Sequence, residues 1–408
     1  MTDYAFTKVR QQFPREAVAN IEQTVAEQMQ KLTIAPGANI AIGAGSRGVA
    51  NIARIVKAVV DTVKAKGGNP FIFPAMGSHG GATDEGQAEI LASYDITAAT
   101  MGCPVRSSME VVPIEHGDLE IPLYMDKTAY ESDGVILVNR IKPHTAFHGD
   151  YESGLVKMSI IGLGKQRLAE ALHSYGIYGL KTLMPAAARK IMATGKVILG
   201  IGIVENAYDD TAIIEALTPD EIWTREPQLL EIAKESLPTF PLDELDVLIV
   251  DRIGKNISGS GMDPNIVGRI GIRGEADADK PRIKVIITTD LTDESHGNAC
   301  GIGMADVVTK RLKDKIDWDV TYMNGVTSGF FEHFTLPIVA ATDQQAFEWG
   351  IRASHDPKRP KRIARIKDTL HLSELYLSPA ALDERHRNVE LISEPGSLFN
   401  EQGALIPF

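Results

Sequence analysis

Four histidines follow apolar stretches that are typical of strands, or close a helix: His79, His144, His148 and His173. An imidazole has an ordinary pKa near 6.5, so it can donate or accept a proton close to neutral pH. One histidine in a loop is usually a surface residue. Four in comparable positions predict a site for proton transfer or metal binding.

The spacing of His144 and His148 raises the question of zinc, because two histidines four residues apart can bind one ion from a helix. Here the intervening Thr-Ala-Phe and the following Gly149 lack the helical His-Glu-x-x-His frame. Cys103 and Cys300 are too few for a cysteine-ligated zinc or iron-sulfur centre. The pattern therefore does not favour a zinc hydrolase.

Lys157 stands inside an apolar run, Leu155–Ile161. Burial of its stem would partly desolvate the ammonium group, which favours the neutral, nucleophilic amine. Alternatively, Lys157 forms an ion pair with Asp150 or Glu152. Both readings are open on the sequence alone.

The turn from Gly43 to Gly48, GAGSRG, is a literal Gly-x-Gly-x-x-Gly that follows a predicted strand and precedes a predicted helix. This context is typical of dinucleotide binding, but the next strand runs into Ala75–His79 without the acidic residue that would hold a ribose. Arg47 offers a planar fork that suits a carboxylate or phosphate. A tight turn with a solvated Arg47 is the other reading.

The elements around these residues alternate between strand and helix. Apolar residues at Ile52, Ile55, Val56, Val59, Val60 and Val63 predict a helix. Strands are predicted at 39–43, 70–76, 134–138 and 197–204, a hairpin at 105–112 with 119–124, and a helix at 165–174. Such β-α-β units form parallel sheets with functional loops at the carboxyl ends of the strands.

A proline-containing stretch near residue 240 predicts a domain boundary, dividing the chain into 1–240 and 241–408. The second part is predicted to contain strands at 246–251, at 283–289 and near Val320. Helices are predicted from Ala305, at 345–353 and at 361–369. The expected fold is α/β with two domains, a parallel N-terminal domain and a smaller C-terminal one, with the site in the cleft between them.

Composition excludes several classes of partner. The chain has 42 Lys and Arg against 54 Asp and Glu, a formal net charge of −12. Such a polyanion repels nucleic acids and anionic membranes at long range. The N-terminus lacks the apolar segment of a signal peptide, and no apolar run approaches the roughly 20 residues of a membrane span. We therefore expect a cytoplasmic protein that acts on a small molecule.

Arg47, His79, Pro143-His144, Lys157 and His173 together resemble the nickel-pincer nucleotide-dependent lactate racemases and related 2-hydroxyacid racemases and epimerases. Arg47 and His79 are 32 residues apart, and Lys157 and His173 are 16 apart. These separations and the order of the motifs are similar to those of that family. The motifs span roughly residues 40–175.

The resemblance implies a pyridinium mononucleotide cofactor that holds nickel and is made by dedicated cofactor-synthesis proteins. Lys157 would carry this cofactor through a thioamide, His173 would bind the nickel, His79 and His144 would be the acid/base pair, and Arg47 would hold the substrate. A 2-hydroxycarboxylate would lose a hydride from its α-carbon and regain it on either face. Independently of the family, the amides around Gly162 and Gly164 indicate either a phosphate cradle or simply the start of a helix. The positive charges near the predicted strand ends are expected to attract a carboxylate or a phosphate, and they are Arg47, Arg140, Lys142 and Lys165.

The loop between His144 and Lys157 is longer than in the family, which leaves either His144 or His148 as the second acid/base. A substrate-binding lysine of the second domain has no clean counterpart, and Lys255 and Arg269 are the candidates. Two other functions stay open: a nicotinamide-dependent oxidoreductase that uses the Gly43–Gly48 turn, and a non-catalytic carboxylate-binding protein.

Overall fold

The computed structural model describes residues 4–45 and 48–408. Two compact units divide the chain: residues 14–237 form one, and residues 238–408 form the other together with 4–13. Each unit has its own sheet with parallel strands, so the predicted two-domain α/β class is confirmed. The N-terminal strand departs from the predicted division at residue 240, because it belongs to the sheet of the second unit.

The strands, in chain order, are β1 (Thr7–Arg10), β2 (Asn39–Ala44), β3 (Asn69–Pro74), β4 (Val111–Ile114), β5 (Leu123–Asp126), β6 (Gly134–Arg140), β7 (Val197–Glu205), β8 (Thr211–Leu217), β9 (Glu244–Val250), β10 (Arg282–Thr288), β11 (Val307–Thr309), β12 (Ile338–Ala340), β13 (Ile363–Ile366), β14 (Glu374–Leu377) and β15 (Glu390–Leu391).

The helices are α1 (Ile21–Gln28), α2 (Ile52–Ala65), α3 (Asp84–Ser93), α4 (Ala98–Met101), α5 (Lys127–Tyr130), α6 (Leu155–Lys157), α7 (Lys165–His173), α8 (Gly176–Tyr178), α9 (Met184–Ala193), α10 (Pro219–Glu235), α11 (Pro264–Val267), α12 (Lys310–Asp314), α13 (Trp318–Ser328), α14 (Asp343–Ala353) and α15 (Pro379–Asp383). A π-helical turn, Met158–Gly162, continues α6 towards α7. Such turns are frequent at functional sites.

The sheet of residues 14–237 has the order β3-β2-β6-β7-β8. The first four strands are parallel, and β8 returns antiparallel to β7. The carboxyl ends of β2, β3 and β6 therefore lie side by side. The loops that follow them contain Arg47, His79 and His144.

Helix α2 packs its apolar stripe against this sheet, as its periodicity predicts. Ile55, Val56, Val59, Val60 and Val63 are fully buried there and form the core with apolar residues of β2, β6 and β7. The burial of these side chains stabilises the unit, by about 25 cal/mol per Å² of apolar area. Because the sheet is well packed, it fixes the positions at which β2, β3 and β6 end.

The second unit has an eight-stranded sheet of order β12-β11-β10-β9-β13-β14-β1-β15. The strands from β12 to β13 are parallel. Three sequence-based expectations are wrong here. The predicted strand near Val320 is helix α13, the helix predicted from Ala305 is replaced by the short strand β11, and the helix predicted at 361–369 is strand β13.

Candidate active site

The loop after β6 closes on itself and brings Lys157 back beside His144. Lys142 and Ser153 form an antiparallel bridge, with Lys142 N–H donating to Ser153 O at 2.8 Å and Ser153 N–H to Lys142 O at 3.2 Å. Helix α6 begins two residues later, at Leu155. The bridge therefore joins the two ends of the loop and sets α6 next to the start of that loop.

Lys157 Nζ lies 2.7 Å from His144 Nε2. The other ring nitrogen, Nδ1, accepts the backbone N–H of Ala146 at 3.1 Å. The proton roles in the contact between Nζ and Nε2 depend on the tautomer of the ring and on the charge of the lysine. The contact itself places the Lys157 amine against one ring nitrogen of His144.

Packing also fixes the orientation of the His144 ring. The ring stacks on Phe147, with centroids 4.6 Å apart and an interplanar angle of 36°. Phe147 is fully buried. The imidazole is therefore held by one ring contact and two hydrogen bonds, as proton transfer at a defined position requires.

His173 ends α7 and is electrostatically coupled to Lys157. Burial and then the charge of Lys157 lower the pKa of His173 to about 4. The imidazole is therefore neutral at pH 7, the form in which it can bind a metal.

Gln87 of α3 is fully buried and forms hydrogen bonds with the loop that contains His79. The Gln87 amide donates to Gly77 O at 3.0 Å and to His79 O at 3.3 Å, and its oxygen accepts from Lys165 Nζ at 3.0 Å. A side chain at Gly77 would lie 3.0 Å from Ile161. The loop therefore packs directly on the π-helical turn that follows Lys157.

Lys165 lies in the interior, and its role as a cofactor cation stays a prediction. Its ammonium is 1% exposed, donates to Pro74 O at 2.6 Å and lies 3.3 Å from the buried Asp126. Burial lowers its pKa, while the charge of Asp126 opposes that shift. All of its acceptors are internal, so Lys165 supports the end of β3 and Gln87.

The phosphate cradle predicted at Gly162 and Gly164 stays a prediction, and both residues belong to packed helical turns. The Gly164 N–H donates to Ile160 O at 2.8 Å. A Cβ at Gly162 would lie 3.0 Å from Ala75 O, and one at Gly164 would lie 2.3 Å from Leu168. The glycines allow close packing of this turn against the end of β3.

The structure separates the roles of the two histidines in the loop. His148 Nδ1 lies 3.5 Å from Glu152 Oε1, and its side chain is 39% exposed. Glu152 Oε2 accepts the His144 backbone N–H at 2.6 Å. His144 is thus the histidine in contact with Lys157, and His148 is paired with a carboxylate that organises the loop.

Arg47 and Ser46 lie outside the described residues, so the assignment of Arg47 to the substrate stays a prediction. Around that turn, Glu205 at the end of β7 accepts the Ala50 N–H at 2.6 Å and pairs with Arg140 of β6. Arg140 is therefore engaged with Glu205.

The candidates of the second unit are tied into that unit. Lys255 Nζ donates to Gly259 O at 2.8 Å. Arg269 donates to Met304 O at 2.8 Å and pairs with Asp306 at 2.9 Å. Arg269 therefore makes structural contacts within its own unit. The role of Lys255 in substrate binding stays a prediction.

Two residues of the site region, Glu226 and Lys234, escaped the sequence analysis, and Glu152 was named there only as a possible partner of Lys157. Glu226 had a usable signal, because it lies between Ile222, Leu229 and Leu230 on the apolar face of α10. A carboxylate on a buried face needs a polar partner. The position of that partner, the start of α6, has no signature in the sequence.

Within the described ranges, no three His, Cys, Asp or Glu side chains converge to hold a metal ion. A metal beside His173 would therefore take further donors from a cofactor. In the same ranges, no helix combines the length and apolar character needed to cross a membrane.

No protein-family model and no curated protein sequence matches the chain. A solved structure that resembles it is the lactate racemase apoprotein from Thermoanaerobacterium thermosaccharolyticum, with a TM-score of 0.53 and 16% sequence identity. The alignment covers 88% of this chain and 94% of the other. The chain therefore has a lactate racemase-like fold.

Proposed function

We propose that the protein is a racemase or epimerase of a 2-hydroxy acid that uses a nickel-pincer nucleotide held by Lys157. The observation that carries the proposal is the contact between Lys157 Nζ and His144 Nε2, 2.7 Å apart, at the carboxyl edge of a parallel sheet. The lactate racemase-like fold supports it, as does the order of Arg47, His79, His144, Lys157 and His173 along the chain.

The donor set fits such a cofactor. Lys157 offers a primary amine, which can be acylated, and His173 offers a neutral imidazole, a good ligand for nickel. The cofactor would supply the hydride acceptor and the sulfur donors, since the chain has only two cysteines, Cys103 and Cys300, which are buried and belong to different units. The chain itself then provides one covalent anchor and one metal ligand.

The remaining residues handle the proton and the carboxylate. His144 and His79 follow neighbouring parts of the sheet edge and would each take the substrate hydroxyl proton for one enantiomer and return it for the other. Arg47 would grip the carboxylate with its planar fork. Since the hydride returns to the same substrate, the overall reaction needs no external oxidant.

The test is co-expression of the protein with the cofactor-synthesis proteins, followed by intact mass, nickel analysis and assays on enantiopure 2-hydroxy acids. We expect an added mass on Lys157, stoichiometric nickel and interconversion of at least one enantiomeric pair. Reduction of a nicotinamide without any adduct would support the oxidoreductase. Binding of carboxylates without turnover would support the non-catalytic alternative.

Replacing Lys157 with Ala should abolish the adduct while the protein stays folded, because Lys157 is only partly buried. Lys190→Ala is the matched control, since Lys190 is an exposed lysine on α9. Full adduct mass on the Lys157→Ala protein would refute the assignment of the anchor.

A further inference from the structure

Helix α10 makes three polar contacts with residues 151–156, which lead directly into Lys157. Tyr151 Oη donates to Trp223 O at 2.7 Å, Glu226 Oε2 accepts from α6, and Lys234 Nζ lies 3.2 Å from Glu152. These contacts bridge more than 70 positions of sequence. A helix that reaches both sides of a reactive pair can set the distance between its members.

The first contact, between Tyr151 and Trp223, depends on Pro227, which lies inside α10. Proline has no N–H, so the carbonyl four residues earlier, that of Trp223, lacks its usual helical donor. The Tyr151 hydroxyl supplies a donor to this carbonyl. Tyr151 also packs edge-on against the Trp223 ring, with centroids 5.4 Å apart.

In the second contact, Glu226 caps α6, the helix that contains Lys157. The first N–H groups of a helix have no partner within it. Glu226 Oε2 accepts the N–H of both Leu155 and Val156 at 3.0 Å, and Glu226 is 1% exposed. A Cβ at Gly154 would lie 2.2 Å from Glu226 Oε1, so the carboxyl group approaches this closely only because residue 154 is glycine.

The third contact, between Lys234 and Glu152, fixes the backbone of His144. The Glu152 side chain is fully buried, and it accepts the N–H of His144 at 2.6 Å and that of Gly149 at 3.2 Å. A buried carboxylate needs a countercharge, and Lys234 provides it. The position of His144 is thereby linked to the far end of α10.

We propose that Glu226 and the Glu152–Lys234 pair are positioning residues that use α10 as a common frame to hold Lys157 Nζ against His144 Nε2. The proposal rests on the proposed function, in which Lys157 is the cofactor anchor. Glu226 sets the start of α6, one turn or less before Lys157. The Glu152–Lys234 pair sets the backbone that carries the imidazole.

The test compares Glu226→Leu, which removes the acceptor, with Glu226→Gln, which keeps an oxygen for the two N–H groups. Lys234→Met removes the countercharge of Glu152 and keeps the apolar stem. Glu231→Gln is the matched control, because Glu231 is exposed and contacts Lys234 on the same helix without touching residues 151–156. All four proteins are made as full chains, with and without the cofactor-synthesis proteins.

The first readout needs no cofactor. Trace labelling with acetic anhydride, followed by peptide mass spectrometry, gives the reactivity of Lys157 relative to the exposed Lys190. We expect a decrease of about 10-fold or more in Glu226→Leu and Lys234→Met, because a displaced amine loses its fixed contact with the imidazole of His144. Glu226→Gln should recover most of the reactivity, and Glu231→Gln should match the wild type.

The second readout is steady-state kinetics on the nickel-loaded proteins. A misplacement of about 1 Å can lower turnover by about 10²-fold, so kcat should fall in Glu226→Leu and Lys234→Met while KM stays within about twofold. If Glu226→Leu does not fold, Lys234→Met, at a partly exposed position, carries the test.

Wild-type Lys157 reactivity in both folded variants would overturn the positioning proposal, whether or not the enzyme is a racemase. Conversely, reduced reactivity in the variants with no adduct on the wild type would overturn the proposed function and leave the positioning role standing. The two failures are therefore distinguishable.

Discussion

Lys157 and His144 are 13 residues apart in the sequence, and their side-chain nitrogens lie 2.7 Å apart. The N–H of Ala146 donates to Nδ1 of the same ring, so both ring nitrogens have a partner. The pair therefore places the lysine amine against an imidazole of fixed orientation. It is the feature from which the assignment of the anchor and of the acid/base residue both follow.

His144 and His148 should differ sharply in their effect on turnover. His144→Ala, like His79→Ala, should lower turnover by about 10²- to 10⁴-fold, the usual contribution of a positioned proton-transfer group. The loss should be unequal for the two reaction directions, because each base serves one enantiomer. Initial rates from each enantiomer measure this.

His148→Ala is the matched control in the same loop. Its ring is paired with Glu152, so its removal should reduce turnover by less than about 10-fold. A crippled His148→Ala protein beside an active His144→Ala protein would show that the acid/base assignment is reversed.

Arg47→Lys should impair substrate use more than folding. Lysine keeps the charge but loses the planar fork that grips a carboxylate through two hydrogen bonds. The loss should be on the order of 1.5 to 3 kcal/mol, or roughly 10- to 150-fold in kcat/KM. Kinetics and Tm are measured on the same nickel-loaded preparation. An unchanged kcat/KM would support the other reading, in which Arg47 is a solvated residue of a tight turn.

Lys165→Met should destabilise the fold. It leaves the buried carboxyl of Asp126 without its cation and Gln87 without a donor. Removing one partner of a buried pair typically costs about 3 to 5 kcal/mol. Urea unfolding measures the change, and Lys165→Met with Asp126→Asn should recover part of it. Wild-type stability combined with a loss of cofactor binding would support the ligand-binding role of Lys165.

The stability of the unit formed by residues 14–237 should fall as pH rises towards 8. Burial raises the pKa of Glu226 from its ordinary value of 4.5 to about 8, in spite of the two N–H groups it accepts. The folded state therefore binds this proton more tightly than the unfolded state, and the stabilisation is lost as pH rises from about 4.5 to about 8.

Glu226→Gln should remove this slope, which amounts to a few kcal/mol at most between the two pKa values. Denaturant unfolding of the wild type and of Glu226→Gln at pH 5, 6.5 and 8 measures it, with Glu231→Gln as the control. An equal slope in Glu226→Gln and the wild type would show that Glu226 is ionised throughout.

The sequence by itself determined the elements with strong local patterns. The apolar stripe of α2, with Ile55 and Val59 facing inwards, is a property of consecutive residues, so it could be predicted before any partner was known. The same holds for the strands β2 and β6 and for the location of the histidines at strand ends.

Local patterns failed where tertiary contacts decided the outcome. Arg362 and Arg365 make 361–369 look like a polar helix, yet β13 lies between β9 and β14 and both arginines are buried in ion pairs with Asp246 and Asp251. At Val320, the Asp317 side chain caps a helix, which outweighs the β-branched residues that suggested a strand.

Only the tertiary structure decided which histidine meets Lys157. His144 and His148 share one loop and the same residue type, so their spacing cannot distinguish them. The distinction comes from Glu152, which binds the backbone of His144 and pairs with the ring of His148, and from Lys234 and Glu226 on α10. Such contacts depend on groups brought together by folding, and no periodicity along the chain records them.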